Sequence, residues 1–173
     1  MAKELYNDIC KEDIFKSVYN KYAQELNDYL YYKYGEQCSP NDKTQEAFIK
    51  LWENCKKVVL SKARGFLYTV ANNMVFNDFK HQKVVLRYKQ EKPKGHTNEN
   101  PEFLMEKEQY LLKYQKALSK LSEEQRVAFM LNKVEGKKHQ EIAEMLGVTR
   151  KVVEYRIYSA FTLLKTELEN FKI

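Results

Sequence analysis

The sequence predicts an all-α protein of two small helical domains joined by a flexible linker, and three features predict it. Only 5 Gly and 3 Pro occur in 173 residues, too few for a turn-rich β fold. Apolar residues recur at steps of three and four along most of the chain, the period of an amphipathic helix. That pattern stops once, at RYKQEKPKGHTNENP (87–101), a basic stretch almost free of large aliphatics that holds two of the three prolines. The expected division is a domain over 10–84, a linker over 85–104 and a second domain over 105–173.

The first helix is expected over 14–34, with Phe15, Val18, Tyr19, Tyr22, Leu26, Tyr29 and Leu30 along one side. Gly35 suits its end, and Ser39-Pro40 opens the next element. A second helix over 41–56 would turn Ala47, Phe48, Leu51, Trp52 and Cys55 inward. A short basic connection, 56–64, leads to a third helix over 65–82, with Leu67, Val70, Ala71, Met74 and Val75 facing the core. Beyond the linker, 102–121 is helical again and three more helical segments follow.

Bulk composition limits function more than it defines it. Hydrophobic residues are 43% and charged residues 31%, which suits packed helices with solvated faces. A net charge of +6 and a pI near 9.0 favour a polyanionic partner. Cys10, Cys38 and Cys55 are odd in number and far apart, so no disulfide framework is expected and a reducing cytoplasm is the natural setting. No apolar run reaches membrane-span length.

The most specific local signal is HQEIAEMLGVTRKVVEYRIYSAF, which reads as a helix-turn-helix over 140–161. Ile142, Ala143 and Leu146 would pack a first helix, and Gly147 supplies a left-handed turn without a Cβ penalty. Val148 would plug the turn, and Thr149 is a good N-cap for the second helix. That helix buries Val153, Ile157, Ala160, Phe161 and Leu164. Its other side offers Arg150, Lys151, Tyr155, Arg156, Tyr158 and Ser159 to a major groove. The plain alternative is a helical hairpin that packs on another protein.

The segment before it, ALSKLSEEQRVAFMLNKVEG, places Leu121, Glu124, Gln125, Arg126, Phe129, Leu131, Glu135 and Gly136 in a pattern that resembles the C-terminal domain of bacterial sigma-70 factors. Ser122 stands where that family usually has proline. Asp42, Gln45, Glu46, Phe48 and Trp52 resemble the family's D-x-x-Q-E-x-F-x-x-x-W segment, and Phe66 to Asn73 resembles its F-x-x-W-L-x-x-I-A-x-N helix. With no further domain matched, the chain is similar to the minimal, extracytoplasmic-function type. The resemblance implies docking on core RNA polymerase through Asp42, Gln45, Glu46 and Ile49. It implies capture of the melted non-template strand of the −10 element by Lys56, Lys57, Lys62, Arg64, Asn73, Asn77 and Lys80. The helix-turn-helix residues above would bind duplex DNA at the −35 element, the linker would thread through polymerase, and an anti-sigma factor or an auxiliary DNA-targeting factor would be a further partner.

Several residues depart from the family pattern. Lys138 takes a helix-capping place usually held by Ser or Thr, Lys43 takes an apolar one, and Glu154 and Ser159 take basic ones. Either an unusual −35 sequence is read, or −35 reading is weak and another factor places the protein on DNA. No catalytic constellation is present, and no cofactor or metal is expected: His81, His96 and His139 are isolated, and there is no phosphate-binding glycine loop. The rival functions are a stand-alone helix-turn-helix regulator and a polymerase-binding inhibitor.

Overall fold

A computed structural model describes residues 8–78, 86, 101–168 and 171, with the side chains of 101–104 excepted. The chain separates into two compact units, Met1–Val84 and Val85–Ile173. The described residues form seven α-helices and no strand, the all-α class expected from the sequence. Most of the expected linker lies outside the described residues, but helix begins at Pro101, within its last four positions.

The first unit contains α1 (Glu12–Tyr34), α2 (Pro40–Glu53) and α3 (Ala63–Asp78), each packed on the other two. Val18, Leu26, Tyr29 and Leu30 of α1 meet Ala47, Phe48 and Leu51 of α2 and Leu67, Ala71 and Val75 of α3 in one buried core. Each buried Leu or Phe contributes about 1.5–3 kcal/mol of transfer free energy, so the three-helix core carries most of the unit's cohesion. Gly35, at φ 83°, ends α1, and Ser39 turns left-handed to place Pro40 in the first turn of α2, where its missing N–H costs nothing.

Three expectations change here. Trp52 is not core: it stands 45% exposed at the rim, its ring edge-on to Phe15 at 5.0 Å. Helix α2 ends at Glu53, not 56, because the Asn54 side chain donates to the Lys50 carbonyl at 2.8 Å and its backbone N–H reaches Lys50 and Leu51. Cys55 therefore lies in a turn, and it forms a disulfide with Cys10, whose Cα is 5.1 Å away. The expectation of no disulfide is corrected: separation in sequence gives no measure of separation in the fold. Closing this 45-residue span removes loop entropy equivalent to about 4 kcal/mol from the unfolded chain. The third cysteine, Cys38, is buried with a reduced thiol.

Polar contacts also knit the unit together. Asn72 of α3 accepts from Tyr29 (3.2 Å), Lys33 (3.1 Å) and Tyr34 (2.6 Å) of α1. Its amide nitrogen donates to its own helix at the Tyr68 carbonyl. Lys43 of α2 reaches Asp78 at the end of α3 at 2.6 Å. That ion pair accounts for the charged residue in a place expected to be apolar.

The second unit contains α4 (Pro101–Lys120), α5 (Glu123–Lys133), α6 (His139–Leu146) and α7 (Arg150–Glu167). Helix α7 is central and packs on the other three. Residues 105–110 of α4 are exposed, and among the helix's described side chains Ala117 and Leu118 are the buried ones. Ser122 caps α5 in a reciprocal box: its Oγ accepts from the Gln125 N–H at 3.2 Å, and Gln125 Oε1 accepts from the Ser122 N–H at 3.1 Å. A Ser can thus replace the family's proline at this helix start.

Ser122→Ala should lower the stability of the second unit by about 1 kcal/mol, because the Gln125 N–H at the helix start loses its side-chain acceptor. Urea denaturation of the full chain, followed by helix signal, measures it; an unchanged midpoint would show that the box contributes nothing.

Candidate nucleic-acid interface

The helix-turn-helix is built by α6, a three-residue turn and α7. Gly147 adopts φ 65° and ψ 33°, and the Val148 N–H closes the turn on the Ala143 carbonyl at 3.0 Å. A Cβ at Gly147 would meet nothing within 4 Å, so the demand for glycine comes from the left-handed backbone alone. Thr149 caps α7, its Oγ1 accepting from the Val152 N–H. At the start of α6, Lys138 has no side-chain acceptor to offer. Glu141 compensates by accepting the Lys138 N–H at 2.6 Å.

Val153, Ile157, Ala160 and Leu164 form the buried stripe of α7, while Phe161 is only half-buried. On the first helix Met145 is buried and Leu146 lies at the boundary. The outer face presents Arg150, Lys151, Tyr155 and Tyr158 together, the two tyrosines 71% and 72% exposed. Two other sequence candidates point elsewhere. Arg156 is half-buried, and Ser159 accepts from Gln125 Nε2 of α5 at 3.1 Å while its hydroxyl faces the Tyr155 and Arg156 carbonyls. Ser159 thus ties α7 to α5. Val152, 37% exposed beside Lys151, was not a sequence candidate; as a β-branched residue between exposed polar ones it carried no signal of its own.

Glu154 is engaged within the motif. Its carboxylate accepts from Arg150 Nε at 2.8 Å and lies 3.6 Å from His139 Nδ1 at the start of α6. The Arg150 hydrogen bond, with a smaller contribution from His139, holds its carboxyl below the usual carboxylate range. The same bond occupies Arg150, so one of the cations expected to face DNA is shared with an internal partner.

In the first unit, Asp42, Gln45, Glu46 and Ile49 are all exposed on α2, Ile49 at 57%. They lie on the side away from buried Ala47, Phe48 and Leu51, with Glu46 3.7 Å from Lys43. In the basic connection Lys56, Lys57 and Lys62 are exposed and Leu60–Lys62 form a 3-10 turn. Arg64 differs: it lies inside the first turn of α3, half-buried, with its guanidinium 5.6 Å from the Tyr68 ring centre. Asn73 and Asn77 are exposed on one face of α3, and Phe76, missed in the sequence reading, is 66% exposed on the same face. The spacing of Phe76 from Asn73 was the available clue. Lys80, His81 and His96 lie outside the described residues. Among the described residues no group of three or more His, Cys, Asp or Glu could hold a metal ion, and no helix is long and apolar enough to cross a membrane.

The second unit's fold and exposed helix define a DNA-binding helix-turn-helix domain. Residues 111–164 match the family model "Sigma-70, region 4". The second unit is thus similar, over that stretch, to region 4 of the sigma-70 factors. A solved structure of an RsbN–BldN complex aligns over 91% of this chain and 94% of that one at 18% identity, with a TM-score of 0.33, and adds nothing to the region 4 match. No curated protein sequence matches the chain.

Glu154→Gln should release Arg150 for phosphate contact, raising duplex affinity and steepening the dependence of log K on log salt by about 1. Fluorescence anisotropy at several salt concentrations measures the slope. A slope equal to that of the wild type would show that the internal bond does not compete with DNA.

Proposed function

We propose that the chain is a minimal sigma factor of the extracytoplasmic-function type, acting in the cytoplasm where polymerase works. It binds core RNA polymerase, opens the −10 element and directs initiation. The observation that carries this reading is the combination of a region 4 domain with a three-helix unit whose α2 exposes Asp42, Gln45, Glu46 and Ile49 on one face. A stand-alone regulator has no need of such a mixed carboxylate and apolar face.

In this reading α2 docks on polymerase, and the second unit holds duplex DNA upstream through Lys151, Arg150 and backbone contacts. Residues 85–104 connect the two domains, 10–84 and 105–173, through polymerase. The exposed lysines Lys56, Lys57 and Lys62 attract the phosphates of the melted strand. Asn73 and Asn77 offer amides to base edges, and Phe76 offers a ring on which a base can stack. Lys80 continues this strand-binding set in the sequence. Arg64 supports it from inside, through Tyr68, rather than as an outward phosphate ligand.

Recognition at −35 is weak in this reading, and an auxiliary factor helps to place the protein. Two features support that: Glu154 occupies Arg150, and Ser159 is turned to Gln125. Lys151, Tyr155 and Tyr158 remain as outward groups, the tyrosines suited to apolar contact with thymine methyls. An anti-sigma factor would be a second class of partner.

Purified chain added to core polymerase should give promoter-dependent open complexes, detected by permanganate footprinting of unpaired thymines. Duplex binding without core would establish the regulator instead, and core binding without opening the inhibitor. Asp42→Lys with Glu46→Lys should abolish core binding, because two exposed carboxylates become cations. Helix content should stay at wild-type level; unchanged core affinity would remove the assignment of this face.

A further inference from the structure

We propose that Cys10 and Cys55 form a reversible thiol–disulfide exchange site, taking a low-molecular-weight disulfide as oxidant and the matching thiol as reductant. The inference stands apart from the sigma-factor reading, since it rests only on the first unit. Its basis is the pairing itself: two cysteines 45 positions apart meet with Cα atoms 5.1 Å apart, a separation that bridges without backbone movement. Both side chains are only half-buried, so a small thiol can reach them.

Cys38 cannot compete. It is 1% exposed, its Sγ lies 3.7 Å from the Leu30 carbonyl, and burial pushes its thiol up to about 11. The thiolate is the attacking species, so a buried thiol of that kind does not exchange at neutral pH. The chain therefore holds one exchangeable pair and one inert cysteine.

The exchange balances in two steps. The thiolate of one cysteine attacks the small disulfide, giving a mixed disulfide and releasing one small thiolate. The second cysteine then attacks the protein sulfur of that mixed disulfide and expels the other small thiolate. Two protein thiols are oxidised to one disulfide, and one small disulfide is reduced to two thiols.

Position decides the consequence. Cys10 follows Ile9, which is fully buried, and precedes α1; its backbone N–H is held by the Asp8 carboxylate at 3.0 Å. Cys55 sits between α2 and the lysines at 56 and 57. Its turn is built independently around Asn54, whose carbonyl accepts from Lys57 and Val58. Reduction thus leaves that turn in place and removes its tie to the chain's start. In the oxidised form, residues 8–11 are clamped to the root of the basic connection.

The test uses the full chain equilibrated with reduced and oxidised glutathione at a series of ratios, then alkylated and read by mass spectrometry. Cys10 and Cys55 should lose alkylation together as the ratio becomes oxidising, with Cys38 alkylated only after unfolding. Hydrogen exchange at 8–11 and 54–58 should slow in the oxidised wild type but not in Cys10→Ser or Cys55→Ser, and thermal midpoint should rise by several degrees in the wild type alone. Alkylation of both cysteines at every ratio would overturn the proposal. So would equal exchange and equal midpoints in the oxidised wild type and the oxidised Cys10→Ser variant, a result that leaves the promoter-opening assay unaffected.

Discussion

Everything the second unit can do to DNA depends on a reversal of chain direction within the residues Gly147, Val148 and Thr149. A left-handed residue ends α6, and a threonine hydroxyl begins α7. Between them, the Val148 N–H returns to the Ala143 carbonyl, so the turn satisfies the helix-end groups that would otherwise be orphaned. With that angle set, Val153, Ile157, Ala160 and Leu164 must face inward. Lys151, Tyr155 and Tyr158 are then outward by the period of the helix. The outward surface of α7 follows from the turn and is not independently specified.

The first unit solves a different problem. Three helices with a modest apolar core need their relative placement fixed, and the fixing is polar and covalent. Asn72 draws three donors from α1 onto one oxygen, which sets the rotation of α3 against α1. Lys43 and Asp78 set α2 against the end of α3. The Lys43 side chain is mostly buried while Asp78 is about half-exposed, so this pair contributes more to register than to net stability. The exposed residues of α2 and α3 inherit their positions from these contacts.

What could be read from the sequence was whatever local chemistry controls. Gly147 and Thr149 announce themselves within three residues, and the core stripes of α1, α2 and α3 follow from period alone. Side chains at the margin of a stripe were not legible. Trp52, Arg64 and Ser159 each sit where a small rotation of the helix decides between core and surface, and that rotation is set by partners distant in sequence. Ser159 meets Gln125, 34 positions away. Lys43 meets Asp78, and Cys10 meets Cys55; neither pairing leaves a trace in the spacing of residues. Glycine, cap and apolar spacing located the exposed helix, but they could not reveal that Glu154 accepts a hydrogen bond from Arg150.

The exposed stretch 105–110 of α4 has a consequence for how such a protein can change. Residues 105–110 are all exposed, so that stretch of the helix lies outside the core of its unit. Adding or removing one residue would shift the reach of the chain by about 1.5 Å and its phase by about 100°. The helix-turn-helix would keep all its packing. Span and grip are therefore separable properties of this chain, and one can drift through insertion or deletion while the other stays fixed.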